Sequence, residues 1–173
     1  MKLDCLLLVL ILTATTAAAH GTADNHLQLV IIGDRVKMNI VVDMRVLDLA
    51  DVDGDGYASL EELAAESRRI DAWIDESFRV TDGDGNAGVV VFADVTSDLD
   101  VARANGDRVD HARILRTVEF PAAVQRLRID VAQLALAVPD LRVTVIDAVS
   151  GKRYRLENPL KAQTVALRFG AAP

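Results

Sequence analysis

Leu27-Gln28-Leu29-Val30-Ile31-Ile32-Gly33-Asp34-Arg35-Val36-Lys37-Met38-Asn39-Ile40-Val41-Val42-Asp43-Met44 reads as two strands joined by a tight turn. Leu27 to Ile32 is almost wholly apolar, Gly33-Asp34 has the composition of a two-residue connection, and Arg35 to Met44 alternates. Val36, Met38, Ile40, Val42 and Met44 point one way; Arg35, Lys37, Asn39 and Asp43 point the other, with Val41 the exception. The pattern predicts an antiparallel hairpin with one buried face.

Downstream, the period-two signal returns in Phe78 to Thr81, Val89 to Val95, Arg113 to Phe120, Leu127 to Val131, Arg142 to Ile146, Arg153 to Leu156 and Thr164 to Phe169. Turn-forming clusters separate them at Asp82 to Asn86, Asn105-Gly106-Asp107, Pro139-Asp140 and Ser150-Gly151. Helical spacing stands out once: Leu60, Leu63, Ala64, Ile70, Trp73, Ile74 and Phe78 form an apolar stripe, with Glu61, Glu62, Glu66, Arg68, Arg69 and Asp75 mostly opposite. The expected fold is mainly β: an immunoglobulin-like antiparallel β-sandwich carrying an inserted acidic loop and one α-helix at about residues 45–78. A strand-rich α+β fold is the alternative. Residues 20–173 are expected to form a single domain, since no linker or internal repeat divides them.

The chain has 173 residues, 51% hydrophobic and 26% charged, which is globular composition; aromatics are only 4%, so Val, Leu, Ile and Ala must fill the core. A net charge of -7, with 20 of the 26 acidic residues being Asp, argues against a nucleic-acid partner and makes cations the natural ligands. Residues 1–19 have the pattern of a signal peptide: Lys2, an apolar run from Cys5 to Leu12, and small residues through Ala17-Ala18-Ala19, with cleavage expected before His20. The mature protein would then be periplasmic or secreted and would lack a thiol, because Cys5 leaves with the signal. No later run reaches the eighteen or so apolar residues that a membrane-spanning helix needs.

One segment carries legible chemistry. In Asp51-Val52-Asp53-Gly54-Asp55-Gly56-Tyr57-Ala58-Ser59-Leu60-Glu61-Glu62, carboxylates stand at alternate positions and a carboxylate closes the run. Calcium is a hard cation seeking six to eight oxygens. Asp51, Asp53 and Asp55 offer carboxylates and Tyr57 a carbonyl; Ser59 would act directly or through water, and Glu62 would close the shell with both oxygens. Gly56 stands where the chain must turn sharply. Ser59 with Glu62 three places on has capping-box spacing, so the loop's end and the helix's start coincide.

Together these residues resemble the EF-hand calcium-binding family over a single loop and its exiting helix. The entering helix that the resemblance implies has room only around Arg45 to Ala50. Ala58 occupies the position where hands are commonly joined in pairs by a branched apolar residue, which points to an unpaired hand. A strand, an Asp-rich EF-type loop, a helix and further strands after a signal peptide are also similar to the extracytoplasmic domain of bacterial nickel/cobalt-permease-like membrane proteins. Those proteins carry transmembrane helices after the domain, and the expectation here is of the domain alone.

Other candidates are weaker. Asp82-Gly83-Asp84-Gly85-Asn86 has Ala87 where a second loop would need its glycine and Ala93 where it would need its closing Glu, so a hairpin turn is expected. His20 at a processed amino terminus could bind copper, but only His26 and His111 remain to help. Trp73 reads as packing, and Arg126 and Arg128 as a solvated strand face. No nucleophile stands in an activating context, and no pair of carboxylates can be assigned to hydrolysis. The expected function is therefore a non-enzymatic exported domain whose Ca2+ is a structural clasp or shapes a surface for another exported or membrane protein. The alternatives are periplasmic copper or nickel handling, and an enzyme with an unidentified acidic site.

Overall fold

The computed structural model describes residues 25–44 and 49–167. The expected signal segment 1–19, His20, Arg45 to Asp48 of the expected entering helix, and Phe169 lie outside the described residues.

The hairpin forms as its sequence requires: β1 (His26–Ile32) pairs antiparallel with β2 (Arg35–Asp43), with Leu29 opposite Met38. Leu27, Leu29 and Ile31 share the buried face with Val36, Met38, Ile40 and Val42; Val41 is buried on the opposite face. Further along come β3 (Ala58–Ser59), α1 (Leu60–Ser77), β4 (Arg79–Asp82), β5 (Val89–Thr96), α2 (Leu99–Ala104) and β6 (Arg108–Val109). The chain then forms β7 (His111–Glu119), β8 (Arg126–Asp130), α3 (Ala132–Ala137), β9 (Arg142–Asp147), β10 (Arg153–Arg155) and β11 (Gln163–Ala166).

The protein is mainly β, with several sheets. A six-stranded sheet has the order β10-β9-β1-β2-β7-β5, a three-stranded sheet the order β11-β8-β4, and β3 and β6 form a two-stranded ladder. The inner residues of the first two sheets join one hydrophobic cluster: Leu29, Ile40, Ile114 and Val145 meet Val80, Leu127, Ile129 and Val165 there. Leu63, Ile70 and Ile74 of α1 enter the same cluster. Burying a side chain of this size stabilises by roughly 1.5–3 kcal/mol. Ala64, expected on that stripe, is exposed.

Two expectations are corrected. Pairing is not antiparallel throughout, because β1 runs parallel to β9, with His26 beside Arg142 and Leu29 beside Val145. Three helices, not one, occur among the described residues. α2 and α3 are six residues each, too short for a periodic stripe; Asp98 starts α2 by accepting a hydrogen bond from the Val101 N–H. Ala58, at the end of the acidic loop, pairs with Val109 in the β3–β6 ladder.

The Asp82 to Asn86 segment is a tight turn, with the Asp82 N–H donating to the Asn86 carbonyl and a lone bridge from Thr81 to Ala87. It does not close a hairpin within one sheet. β4 belongs to the small sheet and β5 to the large one, so the chain changes layer here. Gly88 makes the crossing possible, because a Cβ there would lie 2.3 Å from Cγ1 of Val118 and 2.9 Å from the Glu119 carbonyl oxygen.

Candidate metal centre

The acidic loop hangs between two buried small residues, Ala50 and Ala58, and its intervening residues are mostly exposed. Its shape comes from backbone amides donating to its own carboxylates. Asp51 accepts from the Gly54 N–H through Oδ1 at 2.9 Å and from the Gly56 N–H through Oδ2 at 3.0 Å. Asp53 accepts from the Asp55 N–H at 3.1 Å, and Asp55 from the Tyr57 N–H at 2.9 Å. Gly54 and Gly56 have φ of 75° and 86°, a left-handed region that costs other residues about 1–2 kcal/mol.

Folded back in this way, Asp51, Asp53 and Asp55 bring carboxylate oxygens within 4.8 Å of one another, a group that could hold a metal ion. Like charges at this range repel by on the order of 1 to 4 kcal/mol per pair, depending on how much water screens them. A cation reverses the sign of that interaction.

The remaining candidates are arranged differently. Glu62 has both oxygens engaged: Oε1 accepts from the Val52 and Asp53 N–H groups at 2.9 and 3.2 Å, and Oε2 from the Ser59 N–H and hydroxyl, each at 2.8 Å. The Ser59 hydroxyl in turn accepts from the Glu62 N–H at 3.1 Å, completing a capping box at the start of α1. These bonds, led by those from the Ser59 backbone and hydroxyl, hold the Glu62 carboxyl down at about 2 against an opposing push from burial. Glu62 therefore stitches the loop's first turn to the helix and is not one of the three grouped carboxylates. Tyr57 exposes its ring, over which the Arg108 guanidinium lies 4.0 Å from the centroid.

Behind the loop, α1 is tied to the large sheet by a residue the sequence reading did not single out. Arg116 occupies an inward position on β7 with its side chain 4% exposed, where Nη2 lies 2.6 Å from Asp75 Oδ1 and Nε 3.2 Å from Asp71 Oδ1. Asp71 and Asp75 are one helical turn apart, so one guanidinium spans both. Alternation offered the signal: Arg116 falls between Ile114 and Val118 on the buried face. A second tie follows the loop, where the Leu60 N–H donates to the Asp107 carbonyl at 3.0 Å beside the β3–β6 ladder.

Asp82 accepts from the Asp84 N–H and from the N–H and side-chain amide of Asn86, which lowers its pKa, with the Asn86 side chain the main cause. Its carboxylate is occupied by the turn it shapes. Trp73 packs partly buried against the core. His26 and His111 lie on β1 and β7, and Asp51, Asp53 and Asp55 form the only metal-capable group found among the described residues. No protein-family model matches the chain, and no curated protein matches it.

Proposed function

We propose that residues 51–62 are an EF-hand-type loop binding one calcium ion, and that the ion is a structural clasp in an exported, immunoglobulin-like β-sandwich. The supporting observation is the convergence of Asp51, Asp53 and Asp55 within 4.8 Å on a loop whose two ends are already fastened. Every candidate donor is a hard oxygen, which favours calcium over copper or nickel. Tyr57 would add its carbonyl and Ser59 a hydroxyl or a bridging water. Glu62 would exchange amide hydrogen bonds for the ion.

Calcium here would relieve carboxylate repulsion and draw the loop onto the N-terminal end of α1, which Arg116 holds to the large sheet. No catalytic step is assigned to the loop. Exposed Val52 and Tyr57 beside it would give the clasp a second consequence, a calcium-shaped surface for another exported or membrane protein. Isolated extracellular modules bind calcium at about 0.1 to 1 mM, and at tenfold over the dissociation constant the ion adds about 1.4 kcal/mol.

Thermal unfolding of the mature protein tests this reading. Millimolar calcium is expected to raise the Tm by a few degrees over chelator, and Glu62→Gln to abolish most of that increment. Identical melting with calcium and with chelator would sink the proposal.

A further inference from the structure

The outer face of the three-stranded sheet carries Arg79 on β4 and Arg126 and Arg128 on β8, all exposed and none in an ion pair within 4.0 Å among the described residues. Thr81 stands opposite Arg128 on one side and Thr164 on the other, while Arg79 stands opposite Asp130. The face therefore sets three arginines against one exposed carboxylate, Asp130, a local positive excess on a chain of net charge -7. Asp82 at the nearby turn stays charged, but its oxygens are engaged by the N–H groups of Asp84 and Asn86, and it makes no ion pair within 4.0 Å with these arginines.

Part of this surface is preformed. The Arg126 stem lies flat on the turn, close enough that a Cβ at Gly83 would come 3.0 Å from its Cβ and 3.3 Å from its Cδ. A shallow cleft of about 280 Å³ opens beside it, lined by Arg79, Thr81, Gly85, Arg128 and Asp130. We propose that this face binds an acidic, extended peptide segment of a partner protein, with alternate carboxylates on Arg126 and Arg128 and a further one reaching Arg79 across the cleft.

Charge complementarity selects the class of partner, and spacing selects its shape. Arg126 and Arg128 are two residues apart on one strand, about 6.8 Å, which is the repeat of alternate side chains in an extended chain. A lipid surface fits less well, since among the described residues none of the large exposed apolar side chains lies on this face to enter a bilayer. The inference is independent of the metal reading: the three arginines sit on strands outside the acidic loop.

The experiment uses a fluorescent octaglutamate peptide and vesicles containing phosphatidylglycerol, titrated with the mature protein in constant millimolar calcium. Anisotropy is expected to rise with the peptide and to weaken several-fold between 20 and 200 mM salt, roughly as Debye screening requires. Changing Arg79, Arg126 and Arg128 together to Gln should lower the affinity by about tenfold, and Arg128→Gln alone by a smaller factor, with melting unchanged. Removing equal charge elsewhere, at Lys37, Arg103 and Arg113, should leave most of the binding. No response to the peptide, an equal loss in both triple variants, or binding to vesicles without binding to peptide would each overturn the proposal.

Discussion

Glu62 takes four hydrogen bonds in this structure, and each favours its charged form. Its carboxyl is held at about 2 instead of 4.5. A folded-state value below the unfolded one means that the unfolded chain takes up the proton first as pH falls. The stabilisation from Glu62 is thus complete above its unfolded value and disappears as pH drops through about 2. Without calcium, the difference in Tm between the wild type and Glu62→Gln should be constant near neutrality and shrink as pH falls from about 4.5 toward 2. An undiminished difference at pH 2 would contradict the geometry. Much of this residue's role was readable beforehand, because the partners lie within twelve positions: the Ser59 to Glu62 spacing announces the capping box. Its bonds to Val52 and Asp53 were not readable, since the same spacing serves a carboxylate turned toward an ion.

For α1, local and distant forces meet. Its start was legible where Ser59 precedes an apolar stripe, and its buried residues Leu63, Ile70 and Ile74 fell on the expected face. Its attachment was hidden in a different element, as a charged residue at an inward strand position. Arg116 is nearly enclosed, whereas Asp75 is 60% exposed and can be hydrated when it loses its partner. Arg116→Ala should therefore destabilise by about 2–4 kcal/mol, through a void and the loss of both ion pairs, while Asp75→Ala should cost about 1 kcal/mol or less. Urea unfolding of the two variants measures the asymmetry; equal losses would mean that the exposed carboxylate carries the link. α2 and α3 escaped the reading because six residues make under two turns, too few to display a period.

At the scale of the molecule, the longer strands were legible but, beyond the β1–β2 hairpin, their partners were not. Alternation shows which residues of a strand face inward, but it is silent on the neighbour, so the division between sheets at Gly88 could not be foreseen. The constraint on that glycine comes from Val118, Glu119 and Phe120, remote in sequence. Gly88→Ala should cost about 1–3 kcal/mol by overpacking, seen as a lower Tm, whereas Gly85→Ala alters an open site and should show only the smaller penalty of its positive φ. A loss at Gly88 no greater than at Gly85 would show that the layers can shift to admit a methyl group.

The parallel pairing of β1 with β9 sets a timetable for assembly. β1 is synthesised first among the described strands, yet one of its two flanks stays bare until β9 arrives, near the end of the chain. A nascent polypeptide still attached to the ribosome can close the β1–β2 hairpin quickly, since its partners are adjacent, but it cannot finish the sheet. The slowest step should be the capture of β9 by that waiting edge, and during the delay the open strand is exposed to unintended partners.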